Sequence, residues 1–312
     1  MCLKLPKSLD VIKFLVYKIF IVFLLCSNLS LGQNIKIKNI KLNNKLDHFS
    51  PVMLNGKMFY SRNLLTARGK LVKDRFGTQL FTLIEANVDT QGEFSQKKPV
   101  LGNRYGKKNI SVATFTNDGR YMYFTTNALE VGDNNRKDFK TYNLQLQRAE
   151  YVKGKGWTNF TFLPFCNKDF NYGHPALSPD NKTLYFVSNI EGTKGRTDLY
   201  KVSVFEHRAY GNPEKLSESI NSSRTELYPF ISRGNILYFS SNRRNGIGGY
   251  DIYSYNLKET DETIIPKLLP EPINSVGEDF SFFLKEDGKS GFFTSRRLRG
   301  KGNDDIYYFT GF

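Results

Sequence analysis

The chain holds 312 residues, with 45 lysines and arginines against 30 aspartates and glutamates, for a net charge of +15. It has only 3 cysteines, at positions 2, 26 and 166, so a disulfide-stapled scaffold is excluded and the fold must hold by packing. The basic balance admits nucleic acid, anionic lipid, acidic glycan or acidic protein as a partner, and the order of elements along the chain narrows that choice.

Residues 1–32 read as an export signal. Lys4, Lys7 and Lys13 make a basic start, Ile19 to Cys26 an apolar core too short to span a bilayer, and Ser30-Leu31-Gly32 places small residues where a signal peptidase cuts before Gln33. Lys18 and the short apolar run disfavour an uncleaved anchor, and bulky Leu25 disfavours lipid attachment at Cys26. The remaining chain, 33–312, is then expected as a single domain in the periplasm or at the outer membrane. Export removes nucleic acid from the candidates. Cys166, beside Leu163 and Phe165, reads as a packing residue.

The next segment, Ile35 to Leu42, alternates like a strand but has no sheet of its own. Behind it come five aromatic pairs, Phe59-Tyr60, Tyr123-Phe124, Tyr185-Phe186, Tyr238-Phe239 and Phe292-Phe293, at spacings of 64, 62, 53 and 54 residues. In the last three copies a tyrosine (Tyr200, Tyr253, Tyr307) follows the first aromatic at an offset of 15, each preceded by Asp-Leu or Asp-Ile. A roughly 40–50-residue repeat built from short strands and turns is a propeller blade. The prediction is an all-β propeller of four-stranded antiparallel blades, five in number, with room for a sixth in the longer early intervals.

The fourth copy shows the grammar of one blade. Tyr228 to Ile231 is an inner strand, Ser232-Arg233-Gly234-Asn235 a turn, Ile236 to Ser241 a buried second strand, and Asn242 to Gly249 a glycine-rich loop. Tyr250 to Tyr255 and Ile264 to Leu269 complete it. Other blades turn at Asn117-Asp118-Gly119, Ser178-Pro179-Asp180-Asn181 and Glu286-Asp287-Gly288. The last copy supplies three strands only, Asp279 to Glu286, Ser290 to Ser295 and Asp304 to Phe309. Its open edge would invite aggregation. The segment 35–42 is predicted to add there and close the ring.

These repeats resemble the WD-repeat-like blades of TolB-type propellers, as found in Bacteroidota envelope proteins that often carry an OmpA-like domain. The resemblance rests on Leu177-Ser178-Pro179-Asp180, Leu237 to Arg243, Gly246 to Tyr253, Ile273-Asn274-Ser275 and Gly300 to Tyr307. It runs from about Asp47 to the C-terminus, loosely before Pro175. It implies an envelope location and a protein-binding or scaffolding role. No OmpA-like domain follows the repeats here, so peptidoglycan anchoring is not expected.

Catalytic signatures are missing: no G-x-S-x-G, H-E-x-x-H, C-x-x-C or phosphate-binding glycine loop occurs, and the single Trp157 excludes repeated sialidase boxes. His48, His174 and His207 fall in different blades, and His174 beside Pro175 reads as a packing residue. Asp198, Asp251 and Asp305 recur at one offset, which argues for capping the loop before the strand. Asn303-Asp304-Asp305 gathers oxygens of the kind a hard cation takes but lacks a full ligand ladder. No catalytic residue, metal site or cofactor is assigned. Two carboxylates of a glycosidase would leave no motif.

Charge carries the remaining signal. Loops between second and third strands all leave one face of a propeller, and they hold Arg62, Arg68, Lys70, Lys73 and Arg75, then Arg243 and Arg244, then Arg296, Arg297, Arg299 and Lys301. A closed ring would set these in one basic arc, with a solvated rim as the other reading. Arg62, Arg243, Arg244, Arg296, Arg297 and Arg299 are the expected partner-binding residues, and removing Arg243, Arg244, Arg296 and Arg297 should leave stability unchanged. The expected partner is an outer-membrane-associated envelope protein, or an anionic lipid or glycan surface. The expected function is a non-catalytic interaction or scaffolding module, as in a secretion or motility assembly. The alternative is a carbohydrate-active enzyme or glycan-binding propeller.

Overall fold

The computed structural model describes residues 34–312 apart from 75, 102–107, 128–142, 206–208 and 262. The export segment, Arg75 and His207 lie outside the described residues. The strands form five four-stranded antiparallel sheets. Blade one holds β2 (His48–Leu54), β3 (Lys57–Asn63), β4 (Phe81–Val88) and β5 (Phe94–Pro99). Blade two holds β6 (Ile110–Phe115), β7 (Tyr121–Thr126), β8 (Gln145–Val152) and β9 (Gly156–Phe162). Blade three holds β10 (Tyr172–Leu177), β11 (Thr183–Ser188), β12 (Asp198–Ser203) and β13 (Glu214–Lys215). Blade four holds β14 (Glu226–Ile231), β15 (Ile236–Ser241), β16 (Asp251–Asn256) and β17 (Lys267–Leu268). Blade five joins β18 (Asp279–Leu284), β19 (Ser290–Ser295) and β20 (Asp305–Thr310) to β1 (Lys36–Asn39) from the other end of the chain.

Inner strands β2, β6, β10, β14 and β18 contact one another in turn, and β18 meets β2, so the ring closes at five blades. The early intervals hold longer outer strands, β5 and β9 against the two-residue β13 and β17, and the described residues form no sixth sheet. Strand β1 runs antiparallel to β20 with Ile37 opposite Phe309 and Asn39 opposite Tyr307. Ile35 packs into the seam between blades four and five, and Ile40 and Leu42 into the seam between five and one. Asn43 then bonds both backbone groups of Ile306, at 2.6 and 3.1 Å. Asn221 does the same to Leu199, and Asn274 to Ile252.

The aromatic pairs recur because every blade has two neighbours. Adjacent residues of a strand face opposite sides of the sheet. Phe59, Tyr123, Tyr185, Tyr238 and Phe292 therefore pack against the following blade, while Tyr60, Phe124, Phe186, Phe239 and Phe293 pack against the preceding one. Each of the five seams thus receives rings from both sides. Burial of such rings is the main driving force for closure.

A second repeat is invisible in composition. The third residue of every inner strand, Ser50, Val112, His174, Tyr228 or Ser281, sits at φ between 43° and 60°, where the register to the second strand shifts. This turns its N–H out of the ladder. For three of the five inner strands the residue directly after the preceding blade's aromatic pair receives that N–H: Thr294 from Ser50 at 3.2 Å, Ser61 from Val112 at 3.0 Å, and Thr125 from His174 at 2.9 Å, whereas the equivalent Ser240 hydroxyl of blade four makes no hydrogen bond. In blade three this residue is Val187, which has no hydroxyl. His174 supplies the acceptor instead, its Nδ1 receiving the Tyr228 N–H at 3.3 Å while the rings stack 3.9 Å apart. His174→Phe should therefore orphan a backbone donor and cost about 1–3 kcal/mol. Adding Val187→Thr to that variant should recover part of the loss in urea unfolding. Equal midpoints for the single and double variants would remove this account.

Candidate functional site at the channel mouth

The loops between second and third strands leave the ring at the end where the inner strands begin. Three aspartates shape the last of these loops from inside. Asp198 accepts the Lys194 N–H at 2.8 Å, Asp251 those of Ile247 and Gly248 at 2.8 and 3.0 Å, and Asp305 those of Lys301 and Gly302, the latter at 3.0 Å. All three are buried, so their carboxylates cap loops. Asp304 turns instead to Arg296, and the two neighbours do not converge on a common point. Among the described residues no group of three His, Cys, Asp or Glu side chains could hold a metal.

The predicted arginines separate into two kinds. Arg243 and Arg297 each stand two residues beyond a serine and fold back onto it, through N–H and Nε, to Ser241 and Ser295. Arg297 then donates to the Pro272 and Ile273 carbonyls at 2.9 and 2.7 Å and to buried Asp279 at 2.7 Å, between the rings of Phe293 and Tyr307. Arg243 repeats this with the Ile220 carbonyl, Glu226, Phe239 and Tyr253. These two are built into the blades as staples and leave little side-chain surface to a partner. The expectation that they can be removed without loss of stability is corrected. Arg244 and Arg299 are exposed on the loops, and Arg62 lies beside the buried His48. The Ser-x-Arg spacing, preceded by an acidic residue at the inner-strand start, is a sequence signal that could have separated staples from surface charge.

Arg296 belongs to neither kind. Its Nε donates to Asp304 and its Nη1 to Glu278 at 2.5 Å, while the guanidinium rests 5.6 Å from the Phe280 ring centre. Burial raises the Asp304 carboxyl above the ordinary carboxylate range, against the pull of Arg296. Glu278 stays partly exposed. The Asp304 carbonyl accepts the His48 N–H at 2.7 Å, which ties this loop to blade one. Tyr228, whose hydroxyl feels the charges of Asp304, Arg296 and Glu278, forms the floor with Phe280 at 5.0 Å, and Phe49, Phe81 and Val112 complete it. The mouth is thus a polar triad above an aromatic plug. Beneath the plug the channel narrows to a void of about 40 Å³ and opens at the opposite face into a basin of about 720 Å³ edged by Phe230, Tyr238, Phe283, Arg233 and Glu286. No sequence signal singled out Glu278.

The mouth also sets a pH dependence. Burial, then the nearby Arg62 charge, lowers the His48 pKa from 6.5 to about 4, and burial lowers that of His174 to about 3. The unfolded chain takes these protons near 6.5 and the native chain does not. Stability is therefore whole above pH 6.5 and declines as pH falls toward 4, by about 3 kcal/mol for His48 alone. Urea midpoints from pH 7.5 to 4.5 should show this slope, and His48→Leu should roughly halve it, His174 keeping its own share. A His48→Leu profile parallel to the parent's would refute the assignment.

No family model matches the chain, and no curated protein matches it. Solved structures do. A thermostable family-43 glycoside hydrolase aligns at 13% identity over 87% of this chain and 92% of its own, with a TM-score of 0.51. A family-43 β-xylosidase/α-arabinofuranosidase from a compost microbial metagenome aligns at 13% identity over 86% and 92%, also at 0.51. A Dyadobacter fermentans protein of unknown function aligns at 10% identity over 88% and 99%, at 0.49. At these identities the likeness establishes the fold, which defines the chain as a five-bladed β-propeller. The expected non-catalytic scaffold, and with it the expectation of no enzyme, is corrected. Both propellers matched at 0.51 are glycoside hydrolases.

Proposed function

We propose that the protein cleaves glycosidic bonds at the channel mouth, with Glu278 and Asp304 as its working carboxylates. The observation that carries this reading is the placement of Arg296 between two carboxyl groups in unequal surroundings, Asp304 buried and Glu278 partly exposed. A glycosidase needs such an unequal pair flanking one bond. Asp304 donates its proton to the glycosidic oxygen as the bond to the anomeric carbon breaks. Glu278 takes a proton from the water that attacks that carbon, and the two sugars leave with the elements of water divided between them. Arg296 holds the carboxylates in position, and the Tyr228 and Phe280 rings offer an apolar floor for a sugar face. Support for the substrate class comes from the hydrolase names of the matched propellers.

The location we propose is outside the cytoplasm. Its support is the basic start and apolar core of residues 1–32 and the resemblance of the blades to TolB-type envelope propellers.

The test is turnover of a panel of aryl glycosides and plant and bacterial polysaccharides, followed by reducing-end assay. Glu278→Gln should lower kcat by about 10²–10⁴, with Tm within a degree of the parent, because a partly exposed ion pair contributes only about 0–1 kcal/mol. Absence of turnover across the panel, or turnover indifferent to Glu278→Gln, would dismiss the proposal.

A further inference from the structure

Three loops at the seam of blades four and five end in side chains that the fold does not bury. Leu298 is 83% exposed, Val276 71% and Ile247 38%. Their backbones are pressed together: the Gly249 N–H donates to the Gly277 carbonyl at 2.8 Å, and a Cβ on Gly248 or Gly277 would strike the neighbouring loop at 2.1 or 2.9 Å. The three apolar tips are therefore held on one rigid prominence. At the preceding seam the corresponding positions are Lys194, Ser223 and Arg244, so the prominence departs from its own repeat. Exposed Arg244 and Arg299 flank it within the same loops, and exposed Arg196 and Arg224 lie at the adjoining seam. The carboxylates in these loops are engaged, Glu278 by Arg296 and Asp251 by loop N–H groups.

Single exposed apolar residues need no explanation, but a rigid group ringed by arginines does. We propose that this prominence docks on an anionic lipid surface, Ile247, Val276 and Leu298 entering the acyl boundary while Arg244 and Arg299 meet lipid phosphates. Apolar burial and cation attraction combine in this way at membrane interfaces, each lysine or arginine adding about 1 kcal/mol near the surface. An acidic protein would satisfy the arginines but has no use for three exposed aliphatic tips beside them. The loops adjoin Glu278 and Arg296, so docking would hold the channel mouth at the membrane. This inference stands without the proposed hydrolysis, since it concerns binding alone.

Hydrogen exchange of the full chain, with and without vesicles, reads the loops directly and separates them from any binding by residues 1–33. With vesicles of 30% phosphatidylglycerol in phosphatidylcholine, amides at 244–247, 275–277 and 297–300 should slow at least fivefold. Pure phosphatidylcholine should slow them less. Val276→Glu/Leu298→Glu should abolish the protection, and Arg244→Glu/Arg299→Glu should reduce it. Lys97→Glu/Lys153→Glu, with the same change in net charge elsewhere, should leave it intact. Unchanged exchange in these loops, protection that survives Val276→Glu/Leu298→Glu, or equal loss with the Lys97/Lys153 variant would overturn the proposal.

Discussion

Replacing Arg297 with alanine is expected to destabilise the protein by about 3–5 kcal/mol, the range for breaking a buried ion pair. The side chain is nearly enclosed and Asp279 fully so, with their charges 2.7 Å apart. Alanine would leave that carboxylate in the sheet without its cation, and the Pro272 and Ile273 carbonyls would lose their donor as well. The cation also lies 5.0 and 4.9 Å from the Phe293 and Tyr307 ring centres, contacts of a kind that contribute about 0.5–2 kcal/mol when desolvated. Arg299→Ala, two residues along the loop and exposed, is the control and should shift stability by less than about 0.5 kcal/mol. Guanidinium unfolding of the two variants separates them, and similar midpoints would show that Arg297 is no staple.

Deleting residues 34–43 should cost the protein its cooperative fold. The deletion removes the fourth strand of blade five, uncovers the β20 edge and empties the sites of Ile35, Ile40 and Leu42 in two seams. Loss of Ile40 alone, as Ile40→Ala, should cost about 2–5 kcal/mol, since it is fully buried. An open β20 edge is a template for pairing with another chain. The truncated protein should elute as aggregate and lose its sharp thermal transition, and a synthetic peptide of residues 34–44 added during refolding should restore monomer. A monomeric truncation with the parent's Tm would mean that the ring closes by other contacts.

The same surface looks different from each level of description. Counted along the sequence, Arg243, Arg244, Arg296, Arg297 and Arg299 are one basic cluster. In the fold, two enter the blades, one stands between carboxylates, and two reach solvent. Charge count at a loop thus overstates charge available to a partner. The burial of Arg243 and Arg297 weakens the basic arc that argued for scaffolding, and the proposed hydrolysis rests on the acidic groups of the mouth instead.

Local patterning was sufficient for the architecture. Recurring aromatic pairs, turn dipeptides between them and a last copy one strand short pointed to a closed ring with the segment at 35–42 as its clasp, because short strands with two apolar faces can be buried only between like neighbours, while the longer early intervals left the choice between five and six sheets to the structure. Leu42-Asn43 even repeats the Ile220-Asn221 and Ile273-Asn274 pairs that close blades three and four. The meeting of Glu278, Arg296 and Asp304 above Tyr228 was a matter for the tertiary structure alone. Glu278, Arg296 and Asp304 border the strands of blade five, Tyr228 belongs to blade four, and the Asp304 carbonyl ties the group to blade one through His48. Strand pairing within blade five sets Glu278, Arg296 and Asp304 side by side, ring closure brings Tyr228 and His48 to them, and a carboxylate's role depends on what surrounds it in space rather than on what precedes it in the chain.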